Sequence, residues 1–212
     1  MAKVCRFIGG TNQDVTSEQV EAAVSLAENF ELNVNCIDGV FTNCFNSMKR
    51  ILLPNAEGLQ TSQRTEEELL SFVRDARPDV LWVCLGSGDI ALLAEPDQAM
   101  ASSLAFELFQ VLQRVAATTR CILVDAVIPR ETALKGTAEI FSWNANMFNS
   151  TLRALISDHS RMVFNKCKGF SGSAYEWTVD GFQPNNMDGS LRKYFRNVRL
   201  LLLRNKSKFL VD

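Results

Sequence analysis

The chain has 212 residues, 47% of them hydrophobic and 22% charged, with a formal net charge of −2. That length suits one well-packed domain, so a single domain over 1–212 is expected, and the composition excludes a disordered chain. No apolar run approaches the roughly 20 residues that span a bilayer, and "MAKVCRFIGG" lacks the long apolar core of a secretory leader.

Short apolar runs alternate with longer amphipathic segments. "VCRFIGG", at the start, reads as a first strand, and a helix over about Ser17–Asn29 follows, with Val20, Ala23, Val24 and Ala27 on one stripe. "LNVNCID" is the second strand. The stretch 39–64 is long for a connection and is a candidate functional loop. Thr65 with Glu68 three positions on forms a capping box that opens a second helix, ending at "ARPD". "DVLWVCLG" is the third strand, and a helix over about Ala99–Thr118 leads to the fourth, "CILVDAVIP". A helix over about Trp143–His159 leads to "RMVFN", and a last helix runs from Asp188 or Gly189 to about Arg204. Apolar runs of this length, bounded by Gly, Pro, Asp or Asn, suit strands buried on both faces, as in a parallel sheet. The alternation predicts an α/β fold of three layers, an α/β/α sandwich around a mainly parallel sheet.

Six cysteines, at 5, 36, 44, 84, 121 and 167, are scattered without a CxxC pair. That pattern fits free thiols in a reducing compartment better than a disulfide or zinc framework. A cytoplasmic chain without metal or cofactor is expected. Charge is unevenly spread. Residues 188–212 carry seven basic side chains against two acidic ones, while the other 187 carry 15 basic and 22 acidic. Such an asymmetry points to an anionic partner, or to a plain solvated face.

In an open parallel sheet, ligands bind beyond the carboxyl ends of the strands. Four stretches fall there: "FIGGTN" (Phe7–Asn12), "IDGVFTN" with Gly39, "LGSGDI" (Leu85–Ile90) and "DGFQPN", which begins at Asp180. Their order and spacing, with the strand ending in "VIP" and the Asn and Leu positions of "WNANMFNSTLRAL", resemble the SGNH (GDSL-type) hydrolases. That resemblance implies flavodoxin-like topology and an acyl-transfer site at the sheet's carboxyl edge. It places Gly10 and Thr11 where the family's "GDS" has Asp and the nucleophilic Ser, and Gly39 at the oxyanion glycine. "GxND" reads "GSGD", so Gly88 stands for Asn while Asp89 is kept; "DxxH" reads "DGFQ", so Asp180 is kept and Gln183 replaces His.

A hydroxyl nucleophile needs a base that takes its proton and returns it to the leaving group. The Gln183 amide is neutral and cannot do so. Without the imidazole, Asp180 has nothing to orient. Loss of the Asn removes an oxyanion donor typically worth about 2.7–4 kcal/mol. The one histidine, His159, lies where the fourth helix ends and a strand begins, across the sheet from this edge, and a helix C-terminus explains it well. The implied reading is a pseudo-hydrolase. Structural roles remain beside it: Gly86 and Gly88 as turn formers with positive φ, Asp89 and Asp180 as caps of loop amides, and Trp82, Val83 and Cys84 as core.

The last helix offers a replacement function. Leu191, Tyr194, Phe195, Val198, Leu201 and Leu202 share one side, while Arg192, Arg196 and Arg199, with Lys193 at the margin, share the other, together with Leu200 and Leu203. Guanidinium groups in a row can grip phosphates without reading sequence. Arg204, Lys206 and Lys208 continue the series; Lys49, Arg50, Lys166 and Lys168 would extend it if the fold brings them together. A degenerate SGNH fold with a basic surface resembles the OSK domains of the insect germ-plasm Oskar family, which implies RNA binding. Two alternatives stay open: an esterase of altered mechanism using Thr11 with Asp180 as base, and a protein-interaction scaffold using Leu200 and Leu203.

Overall fold

The computed structural model describes residues 4–8, 69–129, 136–168, 170 and 190–208. Within them, four of the apolar runs are strands: β1 (Val4–Ile8), β2 (Val80–Cys84), β3 (Cys121–Asp125) and β4 (Met162–Asn165). All pair in parallel in the order β1-β2-β3-β4. β-branched and apolar residues at nearly every position allow this, because a central parallel strand is covered on both faces. Every residue of β3 is buried, and only Cys84 of β2 is half-buried. β4, last in this order among the described strands, is half-buried at Val163 and Phe164.

The helices between strands follow from the apolar spacing. Residues 69–76 are helical (α1). A single turn, α2 (Ser87–Ile90), follows β2; α3 (Gln98–Ala116) joins β2 to β3, α4 (Ala138–Ser157) joins β3 to β4, and α5 (Ser190–Arg204) precedes a 3-10 turn at Lys206–Lys208. α3 buries Leu104, Leu108, Leu112 and Val115, and α4 buries Phe141, Ala145, Phe148, Leu152 and Ile156. These meet Leu81, Val83, Ile122, Val124 and Met162 from one face of the sheet, each large side chain contributing roughly 1.5–3 kcal/mol on full burial. Asp97 caps α3 by accepting from the Met100 amide at 2.9 Å. Thr137 caps α4 by accepting from the Ile140 amide at 3.4 Å. This cap starts α4 at Ala138, five residues before the expected Trp143. α3 ends at Ala116 rather than Thr118, whose hydroxyl turns back to the Val115 carbonyl.

Val80, Trp82, Cys121, Leu123, Asp125 and Asn165 are the buried residues of the alternate positions. α5 buries Val198 and Leu202. Near its start the Lys193 ammonium sits 5.6 Å from the Phe170 ring centre, and at its middle the Asn197 amide donates to the Lys168 carbonyl at 2.8 Å. Past its end, Lys208 lies close enough to Cys121, the first residue of β3, to act on its thiol; burial still raises that thiol's pKa to about 11. The helix therefore runs from beyond the carboxyl end of β4 back to the amino end of β3. No helix among the described residues is long and apolar enough to cross a membrane.

The expected second strand, the Ser17–Asn29 helix, the 39–64 loop and the Thr65–Glu68 capping box lie outside the described residues, and so does most of what a 1–212 domain boundary would rest on.

Candidate functional site

The loop after β2 is built around Gly86. Its φ of +100° is a left-handed conformation that favours glycine. A Cβ there would also stand 2.5 Å from Cζ of Phe148, closer than any ordinary van der Waals neighbour. Gly88 does not share this role: it lies inside α2 with helical backbone, correcting the expectation that both glycines form a positive-φ turn. As glycine, it offers no side-chain donor at the position where an oxyanion-binding Asn is expected.

Beside it, Asp89 points inward. It is 2% exposed, and neither carboxyl oxygen has a hydrogen-bond partner among the described residues. Burial therefore raises its pKa from 3.8 to about 7, against a smaller opposing effect from its own backbone amide. Among the described residues it caps no loop amide, contrary to the structural role expected for it.

Two asparagines of α4 tie down the neighbouring loops. The Asn144 side chain accepts from the Asp97 amide at 2.8 Å and donates to the Glu95 carbonyl at 2.9 Å. Asn149 accepts from the Val127 amide and donates to the Val127 carbonyl, both at 2.8 Å. These are two of the three Asn positions of "WNANMFNSTLRAL", and here they hold the segments that leave α2 and β3.

The strongest polar cluster was not singled out from the sequence. Asp125 ends β3 and is 4% exposed. One carboxyl oxygen accepts from the Trp82 indole at 2.7 Å and the Cys84 thiol at 3.1 Å; the other accepts from the Asn165 amide at 2.7 Å. Asn165 in turn accepts the Cys167 backbone N–H at 3.2 Å, steadying a residue with φ of +47°. A charged or amide residue closing an apolar run, as in "CILVD" and "RMVFN", was the available signal. Trp82 and Val83 are core as expected, but Trp82 and Cys84 also serve as donors in this cluster.

His159 lies where the sequence placed it, between the end of α4 and the amino end of β4. Its ring meets Phe109 edge-on at 6.3 Å and accepts the Arg161 amide at 3.3 Å. The Arg161 guanidinium caps α3 through the Ala116 carbonyl at 2.7 Å. This is the edge of the sheet opposite Gly86, Asp89 and Asp125.

Most of the expected basic residues lie at the surface. Lys193, Arg196, Arg199, Arg204, Lys206 and Lys208 are exposed, as are Lys166 and Lys168. The Asn197–Lys168 hydrogen bond, made to the lysine's backbone carbonyl, and the Lys193–Phe170 contact hold the turn after β4, which carries Lys168, against α5. Arg192 lies in α5. Thr11, Gly39, Asp180, Gln183, Lys49 and Arg50 lie outside the described residues. Among those described, no group of three or more His, Cys, Asp or Glu side chains could hold a metal ion.

Comparison of the chain with protein-family models gives no match, and comparison with curated proteins gives none either.

Proposed function

We propose that this chain is a non-catalytic binding module of SGNH-like, three-layer α/β/α architecture that holds RNA on the basic side of α5, as a single cytoplasmic domain. The observation that carries this reading is the division of α5. Val198 and Leu202 are buried, while Lys193, Arg196, Arg199 and Arg204 remain exposed and Lys168 is fastened beside them. A helix whose exposed side carries this many cations, in a chain of net charge −2, concentrates positive potential in one place. The α3–α4 pair on one sheet face and α5 spanning from β4 to β3 support the three-layer reading. Glycine at 88 and glutamine at 183 support the loss of hydrolysis, and the resemblance to OSK domains favours RNA as the anion.

Filter binding across a salt series tests the proposal. Affinity should fall as salt rises, because neutralised phosphates release their counterions. Charge reversal at Arg192, Arg196 and Arg199 should abolish most of it; unaltered binding by that variant would remove the proposal. Hydrolysis of p-nitrophenyl acetate that disappears in Thr11→Ala would instead establish the esterase reading.

A further inference from the structure

The exposed side of α5 is not uniformly basic. At about 100° per residue, Leu203 falls between Arg199 and Arg196, and Leu200 falls between Arg196 and Lys193. Leu200 and Leu203 are well exposed, at 39% and 38%, and the helix packs through Val198 and Leu202 instead. Two large apolar side chains among guanidinium groups suit neither a merely solvated face nor a surface that meets phosphates alone.

We infer, resting on the RNA reading above, that this face takes unpaired RNA rather than duplex, with Arg196, Arg199 and Arg204 on the phosphates and Leu200 and Leu203 against the bases. An A-form duplex turns its phosphates outward, keeps its base faces stacked inside, and offers only base edges and 2′-hydroxyls in a shallow minor groove, its major groove being too deep and narrow for side chains to read. Leucines pressed on its backbone would strip water from phosphates and gain no apolar contact. An unpaired strand presents base faces and phosphates together. On α5, Arg196 and Leu200, Leu200 and Arg204, and Arg199 and Leu203 are each four positions apart, about 5–6 Å between Cβ atoms on a helix surface. Cationic and apolar contacts therefore alternate at side-chain spacing. Arginine strengthens the preference, since its planar group stacks on a base as well as pairing with a phosphate. Lys168 lies on the turn that meets the middle of the helix, and Lys206 and Lys208 supply further cations past its end.

The test uses the full chain and fluorescence anisotropy with a short RNA that cannot self-pair, and with the same strand annealed to its complement. The single strand should bind about tenfold more tightly at equal salt, although the duplex carries more charge. Leu200→Ala with Leu203→Ala keeps strong helix formers at exposed positions, so the melting temperature should hold. This variant should lose about tenfold in single-strand affinity while keeping the slope of log affinity against log salt. Arg196→Glu with Arg199→Glu should flatten that slope by about 1.4, near 0.7 for each lost single-strand phosphate contact. Duplex binding as tight as single-strand binding, or an unaffected leucine variant, would overturn this inference and leave the RNA reading standing. No binding of either RNA would end both. Displacement of the single strand by an acidic, leucine-bearing helical peptide at lower concentration than by unlabelled RNA would overturn it in favour of a protein partner.

Discussion

Replacing Asp89 by asparagine should remove a pH dependence of stability that this one side chain imposes. The carboxyl is 2% exposed without a hydrogen-bond partner among the described residues, and burial sets its pKa at about 7 when folded against 3.8 ordinarily. Between those values the folded chain keeps a proton that the unfolded chain has released. Stability from this group is thus fully present below pH 3.8, declines as pH rises, and is gone above about 7. At about 1.4 kcal/mol per pH unit, the swing is on the order of 4 kcal/mol. The substituted amide has nearly the same shape and no charge at any pH, but it goes unpaired, at a cost of roughly 1–3 kcal/mol. At low pH, Asp89→Asn should therefore equal the parent or fall slightly below it; near pH 8 it should be the more stable protein. Urea unfolding of both proteins at several pH values from 4 to 8, with the difference in ΔG as the readout, cancels the titration of every other group. Parallel stability curves across that range would refute the reasoning, because they would mean that the Asp89 carboxylate ionises in contact with water or a donor.

Three further substitutions probe the same edge of the sheet. Gly86→Ala should cost about 2–5 kcal/mol in urea unfolding, combining left-handed backbone strain with overlap on Phe148; Gly88→Ala, on helical backbone, should cost clearly less. Asp125→Asn replaces an acceptor of three donors by an amide that must turn its own N–H groups toward some of them, so a loss of about 2–4 kcal/mol and an altered Trp82 fluorescence spectrum are expected.

Four of the five expected strands are present where the apolar runs lie, the fifth lying outside the described residues, and the described helices match within a few residues, because periodicity is a property of neighbours in the chain. α4 shows where this weakens. The Thr137 cap and the buried Phe141 extend it to Ala138, yet neither residue declares a helix until Phe141 has a core to enter. At the candidate site, the sequence led to Gly86, Gly88, Asp89 and the α4 asparagines, but it assigned roles to Gly88 and Asp89 that the fold does not give them. A carboxyl in a loop is ordinarily a cap; only the packing around α2 leaves Asp89 without a donor.

The α/β class, the parallel order of strands implied by alternation, and the split of α5 into packed and basic sides were fixed by residue order, since each depends on side chains a few positions apart. The Asp125 cluster depended on tertiary structure. Trp82 and Asn165 reach it from 43 and 40 residues away, and such partners meet only when three strands settle in register. Likewise Gly86 is constrained by Phe148, and Lys168 joins α5 through Asn197, contacts that no local pattern encodes.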